Sequence, residues 1–217
     1  MVFDDMELVI FDCDGVLVDS EVLAARAFSQ LAKDAGVRIK PAEAYQRFQG
    51  KKVANCLAEI ESLAGSSFSK DVERRFRLLC EQLFENHLKP VAGIHSLLDR
   101  LSVPYCVASS APRNKVNKVL SLTNLSNWFP QDRVFSAYEV GHWKPDPRLF
   151  LHAAEKLGTS PRRCLVVEDS QVGVQAAEAA GMQVVQYQAS SPFITRPFCR
   201  DRINSMDELF PQHGEIQ

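Results

Sequence analysis

Five short apolar runs rich in β-forming residues recur at residues 7–12, 105–109, 133–137, 164–168 and 183–187. Runs that are apolar throughout, rather than alternating, predict strands buried on both faces of a parallel sheet. Parallel neighbours need long crossovers, and helix-period stretches at 93–101, 112–122, 147–157 and 171–180 supply them. The last ends at Gly181, a residue suited to the left-handed position just after a helix. The expected fold class is therefore α/β, an open, doubly wound parallel sheet with helices on both faces.

The alternation breaks once. From about residue 21 to about residue 87 there is no strand pattern, only helical runs at 21–35, 41–48, 53–63 and 69–88. That is far longer than an ordinary connection. The expected division is an α/β core formed by 1–18 and 88–217, with a helical cap over 19–87. Because the insertion follows the first strand, it is expected to project as a lid from the carboxyl edge of the sheet, where such folds bind ligands. No element is assigned after residue 190.

With 217 residues, 46% apolar and 24% charged, the chain can bury a full core. A formal net charge of −2 and the lack of long basic runs exclude the electrostatic footprint of a nucleic-acid binder, while leaving room for a small anion held by local cations. The six cysteines are widely spaced, with no CxxC pair, and read as reduced core residues rather than zinc ligands. No basic leader and no stretch of roughly 20 apolar residues is present, so a cytoplasmic protein without membrane partners is expected.

Against this apolar background the segment VIFDCDGVLVDSE, residues 9–21, is anomalous, since unpaired carboxylates are costly among buried residues. Asp12 and Asp14 are two apart at a strand end and address one site; Gly15 lets the chain turn after them. Carboxylates this close repel unless a cation lies between them, and hard oxygen donors suit Mg²⁺. An isolated DxD is more often a capping turn. Here three later strand or helix ends carry matching groups. Ser109 and Ser110 precede a helix opened by Pro112, where they either cap it or bind phosphate oxygens. Lys144 sits in the proline-stiffened HWKPDP loop. Glu168 and Asp169 end a strand and serve either as metal ligands or as helix-start anions. One fold would bring all of these to the same edge of the sheet.

The segments FDCDGVLVDSE, VASSAPRNK, HWKPDP and VEDSQVGVQAAEAAGM span residues 11–182. In kind and order they resemble those of the haloacid dehalogenase (HAD) superfamily, in its helical-cap branch of phosphatases and phosphosugar mutases. The resemblance implies a Rossmann-like core and a Mg²⁺ cofactor. It implies Asp12 as the nucleophile that forms an aspartyl-phosphate, and Asp14 as the acid that protonates the leaving oxygen and then activates water. It also implies metal ligation by Asp12, the Asp14 backbone carbonyl and Asp169, with Glu168 close to the ion and Lys144 completing the catalytic set. Asp14 argues against dehalogenation, because true dehalogenases lack the second aspartate.

The FDCDGVLVDSEV, GHWKPDP and WFP segments resemble bacterial phosphatases of the phosphogluconate type. The expected activity is hydrolysis of a small phosphorylated sugar or sugar acid. Substrate contacts are expected at Ser109, Ser110 and the cap segment RFQGKK, through Gly50, Lys51 and Lys52. The runner-up is a β-phosphoglucomutase-type mutase. Against it, the mutase cap histidine four residues after Ser20 is replaced by Ala24, and the mutase arginine falls near Val53. The non-enzyme alternative, a phosphoacceptor signalling module, has no such insertion after its first strand. A monomer is expected, with a dimer as the alternative.

Overall fold

The computed structural model describes residues 5–49, 51–188 and 199–210. They divide into two compact units, one built from 5–18, 90–188 and 199–210, the other from 19–49 and 51–89.

The first unit is a six-stranded sheet in the order β3-β2-β1-β4-β5-β6. Its strands are β1 (Leu8–Phe11), β2 (Tyr105–Ser109), β3 (Val134–Ser136), β4 (Cys164–Glu168), β5 (Gln183–Tyr187) and β6 (Arg202–Ile203). Every pairing is parallel. β1 lies centrally with all four residues fully buried, which explains its unbroken apolar sequence. The crossover helices are α5 (Ile94–Arg100), α6 (Arg113–Leu122), α8 (Arg148–Lys156) and α9 (Gln171–Ala179). The chain winds outward from β1 through β2 and β3, then returns to β4 on the other side. The β1/β4 boundary is therefore the switch point, and crevices at the carboxyl ends of such strands take ligands. One core cluster joins Leu8, Ile10, Ala108, Phe150 and Val166 with the inner faces of α8 and α9.

The second unit holds α1 (Glu21–Asp34), α2 (Pro41–Phe48), α3 (Val53–Ala64) and α4 (Val72–His87), and no strand occurs among its described residues. Its core is aromatic: Phe28 stacks on Phe76 with ring centroids 4.2 Å apart and tilts against Phe48 at 4.9 Å. The α1 residues Leu23, Ala27 and Leu31 repeat every four positions on the buried face, as an amphipathic helix requires. The Ser29 hydroxyl donates to the Ile39 carbonyl at 2.7 Å and ties down the turn after α1.

Strand positions agree with the expectation to within a residue or two, and three local features differ. α4 starts at Val72 rather than near residue 69, because Ser69 and Asp71 bond to each other and Val72 N–H donates to the Ser69 carbonyl at 3.0 Å, making a turn instead of a first helical turn. A short helix, α7 (Ala137–Val140), follows β3; the Ser136 hydroxyl accepts from Tyr138 N–H, and Gly141 at φ +78° ends it. Beyond residue 190, the described residues 199–210 supply β6 and a capped 3-10 turn. There Ser205 Oγ accepts from Asp207 N–H at 3.2 Å and Glu208 Oε1 accepts from Ser205 N–H at 2.9 Å. A two-residue strand has no periodicity to read; the open edge of β5 makes it one.

All six cysteines carry free thiols. No helix among the described residues is long and apolar enough to cross a membrane.

Because Phe28 contacts both Phe48 and Phe76, Phe28→Ala is expected to destabilise the helical unit by about 3–5 kcal/mol. Chemical denaturation followed by circular dichroism would measure the loss.

Candidate active site

Four connections leave the carboxyl ends of β1, β2, β3 and β4, and each carries part of one cluster. Directly after β1, Asp12 N–H donates to the Val167 carbonyl at 3.0 Å, which fastens Asp12 to β4. The chain then turns back sharply: Leu17 and Val18 N–H both donate to the Cys13 carbonyl, and Gly15 N–H donates to Val18 at 2.8 Å. Gly15 has φ +84°, and a Cβ at that position would overlap the Asp169 carboxylate. Glycine is required twice over, by the left-handed backbone and by the close approach of an acidic side chain.

At the centre is Lys144, whose side chain is 3% exposed. Its Nζ donates to Asp12 Oδ1 and, at 2.6 Å, to Glu168 Oε1, and it sits 4.8 Å from the Phe150 ring centroid. Glu168 is held in turn. Its Oε2 accepts from both the backbone N–H and the hydroxyl of Ser170, at 2.8 and 2.9 Å. A Cβ on Gly173 would overlap its carboxyl group. Ser170 also caps α9 by accepting from Gly173 N–H at 3.1 Å.

Phe11 pairs with Val107, so Ser109 lies two residues further along, level with the turn after β1. The buried Ser109 hydroxyl accepts from Ala111 N–H at 3.1 Å, a capping contact that leaves the hydroxyl hydrogen as its donor. Ser110 beside it is half-buried. The Ser136 hydroxyl donates to the Ala111 carbonyl at 2.7 Å and fixes this loop from β3.

Asp14 is clasped by Lys115, a residue whose role the sequence pattern does not reveal. Lys115 Nζ donates to Asp14 Oδ1 and Oδ2 at 2.6 and 2.5 Å. A signal for it is nevertheless present. Arg113 and Lys115 are cations in the first turn of α6, where the helix dipole disfavours positive charge and an anion nearby is favourable. Arg113 finds Glu139 and Lys115 finds Asp14.

The structure thus places Ser109 and Glu168 on the last positions of β2 and β4, and Asp12, Asp14, Ser110, Lys144 and Asp169 on the connections beyond the carboxyl ends of the strands of one sheet. Lys51 and Lys52 belong to the helical unit. There Lys51 is half-exposed and bonds Glu59 at 3.2 Å, a carboxylate that Arg47 also grips. Lys52 is exposed just before α3. Gly50 lies outside the described residues. His142, in the loop ahead of Lys144, has Nδ1 3.8 Å from Asp146 Oδ2.

Lys144 is paired with Asp12 and Glu168, Lys115 is paired with Asp14, and the Asp169 carboxylate lies against Gly15 in the turn that carries Asp14. Among the described residues no three acidic, histidine or cysteine side chains converge into a ready metal cage. The oxygen donors of Asp12, Asp169 and the Asp14 backbone nevertheless are of the kind that suits a divalent hard cation such as Mg²⁺. At Asp12, burial, opposed by Lys144 and reinforced by Glu168 and Asp14, pushes the carboxyl from 3.8 up to about 7. Burial works against the Lys144 ammonium, but its two carboxylate partners prevail and hold its pKa above the ordinary lysine value.

A folded-state pKa above the unfolded one means that the Asp12 contribution to stability is fully present below about pH 4 and is lost as the pH rises through about 7. Thermal midpoints measured in chelator from about pH 5 to about pH 8 are expected to fall, and to fall less in Asp12→Asn. An equal fall in both proteins would show that Asp12 is not the titrating group.

Comparison with known proteins agrees with this architecture. Residues 9–187 match the family model described as haloacid dehalogenase-like hydrolase. A 6-phosphogluconate phosphatase from Escherichia coli (strain K12) is 36% identical, over 94% of this chain and 91% of its own. A haloacid dehalogenase-like protein of unknown function from Agrobacterium tumefaciens superposes with a TM-score of 0.85 at 34% identity, covering 94% of this chain and 96% of its own. A HAD family hydrolase from Deinococcus radiodurans, crystallised with bound phosphate and sodium, has a TM-score of 0.78 at 25% identity, covering 94% and 93%.

Proposed function

The chain belongs to the haloacid dehalogenase-like hydrolase family, and from that premise we propose that it is a Mg²⁺-dependent phosphatase releasing phosphate from a small phosphorylated sugar or sugar acid. The observation that carries this reading is the buried Asp12 carboxylate held on one oxygen by Lys144, with a second carboxylate, Asp14, two residues away. The 6-phosphogluconate phosphatase relative supports the choice of substrate class.

In the first step the Asp12 oxygen not held by Lys144 attacks phosphorus, the bond from phosphorus to the leaving oxygen breaks, and Asp14 delivers a proton to that oxygen. In the second, Asp14 takes a proton from water as the water oxygen attacks phosphorus and the Asp12–phosphorus bond breaks. A carboxylate is a modest nucleophile, so positioning and charge neutralisation carry most of the acceleration. The Ser109 hydroxyl and the backbone N–H groups around Ser110 at the entry to α6 bind phosphoryl oxygens. Lys144 balances the charge of Asp12, and Glu168, with both oxygens engaged, holds Lys144 in place. Asp12, Asp169 and the Asp14 backbone carbonyl would hold Mg²⁺, which when bound favours the ionised form of Asp12 and offsets the negative charge of the phosphoryl group. Part of the substrate choice is assigned in the same proposal to the helical unit, residues 19–89.

The test is phosphate release from a panel of sugar phosphates and phosphorylated sugar acids. Activity is expected with Mg²⁺, to disappear on chelation, and to drop by about 10³-fold or more in Asp12→Asn. Activity confined to nucleotides or phosphoproteins would overturn the substrate class. Efficient conversion of glucose 1-phosphate into glucose 6-phosphate with little free phosphate would show a mutase instead.

A further inference from the structure

We infer that Lys115 selects substrates bearing a carboxylate, by taking that group as a partner in place of Asp14. The inference rests on the phosphatase reading and deepens it. Lys115 already holds a carboxylate by both oxygens, at 2.6 and 2.5 Å, and its side chain is 35% exposed. An ammonium on a four-carbon stem turns easily between partners.

Arg113, Arg148, Lys51 and Lys144 are committed elsewhere. Arg113 has its Nε and one terminal nitrogen on Glu139 and the other terminal nitrogen on the Gln131 carbonyl. Arg148 is doubly bonded to Asp146, Lys51 is bound to Glu59, and Lys144 is buried between two acids. Lys115 differs from Arg113, Arg148 and Lys51 in that its anion is itself part of the proposed reaction centre, and from Lys144 in being open to solvent.

The position of Lys115 adds a second reason. In the first turn of α6 its charge opposes the helix dipole, so an anion beside it is favourable. A substrate carboxylate can supply that anion while Asp14 engages the leaving oxygen. A neutral polyol phosphate cannot.

The test compares gluconate 6-phosphate with sorbitol 6-phosphate, which share chain length and phosphate position and differ at the far end. The ratio of their kcat/KM values is expected to favour the acid in the parent protein. It should fall about tenfold in Lys115→Met, chiefly through KM for the acid, and stay within about threefold of the parent in Lys115→Arg. Thermal midpoints of both variants establish that they are folded. An equal drop in kcat for both substrates would overturn the inference, since Lys115 would then only position Asp14, and so would an unchanged ratio or a parent protein without preference for the acid. Failure of the parent to release phosphate from either compound, or from any sugar phosphate, would instead sink the phosphatase reading itself.

Discussion

Lys144 is an ammonium sealed between Asp12 and Glu168, and the arrangement of the site depends on it. Burying three charges is expensive, and the cost is tolerable only because every partner is itself anchored: Asp12 through its backbone to Val167, Glu168 through Ser170 and Gly173, Lys144 against the Phe150 ring. Removing one member would leave an uncompensated buried charge, at about 3–5 kcal/mol. Such a group is a weak device for stability and a strong one for position. It places one carboxylate oxygen next to an ammonium and leaves the other oxygen outside that pair, the arrangement that a nucleophile toward phosphorus needs once a cation is present.

Two glycines make this density of acids possible. Side chains from β4 and the residue after it press against backbone at Gly15 and Gly173, where any Cβ would collide with a carboxyl group. Two of the carboxylates follow β1 and two come from the end of β4, while Ser109 and Lys115 reach in from the β2 and α6 side. The switch in winding direction between these strands opens the space that the groups share.

Most of the scaffold was legible in the residues. The parallel sheet followed from runs such as CLVVE, which are apolar throughout because both faces are covered, and the insertion followed from the absence of any such run between residues 21 and 87. The short pieces were not legible. β6 and α7 span two and four residues and exist because β5 offers an edge and Ser136 offers a cap. Asp12, Asp14, Glu168 and Asp169 stood out as charged residues at the ends of apolar runs and Lys144 by its proline-stiffened loop, whereas Lys115 was not singled out, and its contact with Asp14 spans 101 positions.

What the sequence alone determined, then, is the kind of sheet, the place of the helical insertion and the acidic, hydroxyl and basic groups at the strand ends, because local periodicity and the cost of burying charge act on residues in order along the chain. Only the tertiary structure decided which charge pairs with which: Lys144 with Asp12 and Glu168, Lys115 with Asp14, Lys51 with Glu59. Ion pairing depends on distance in space and on exclusion of water, and neither is encoded by spacing along the chain.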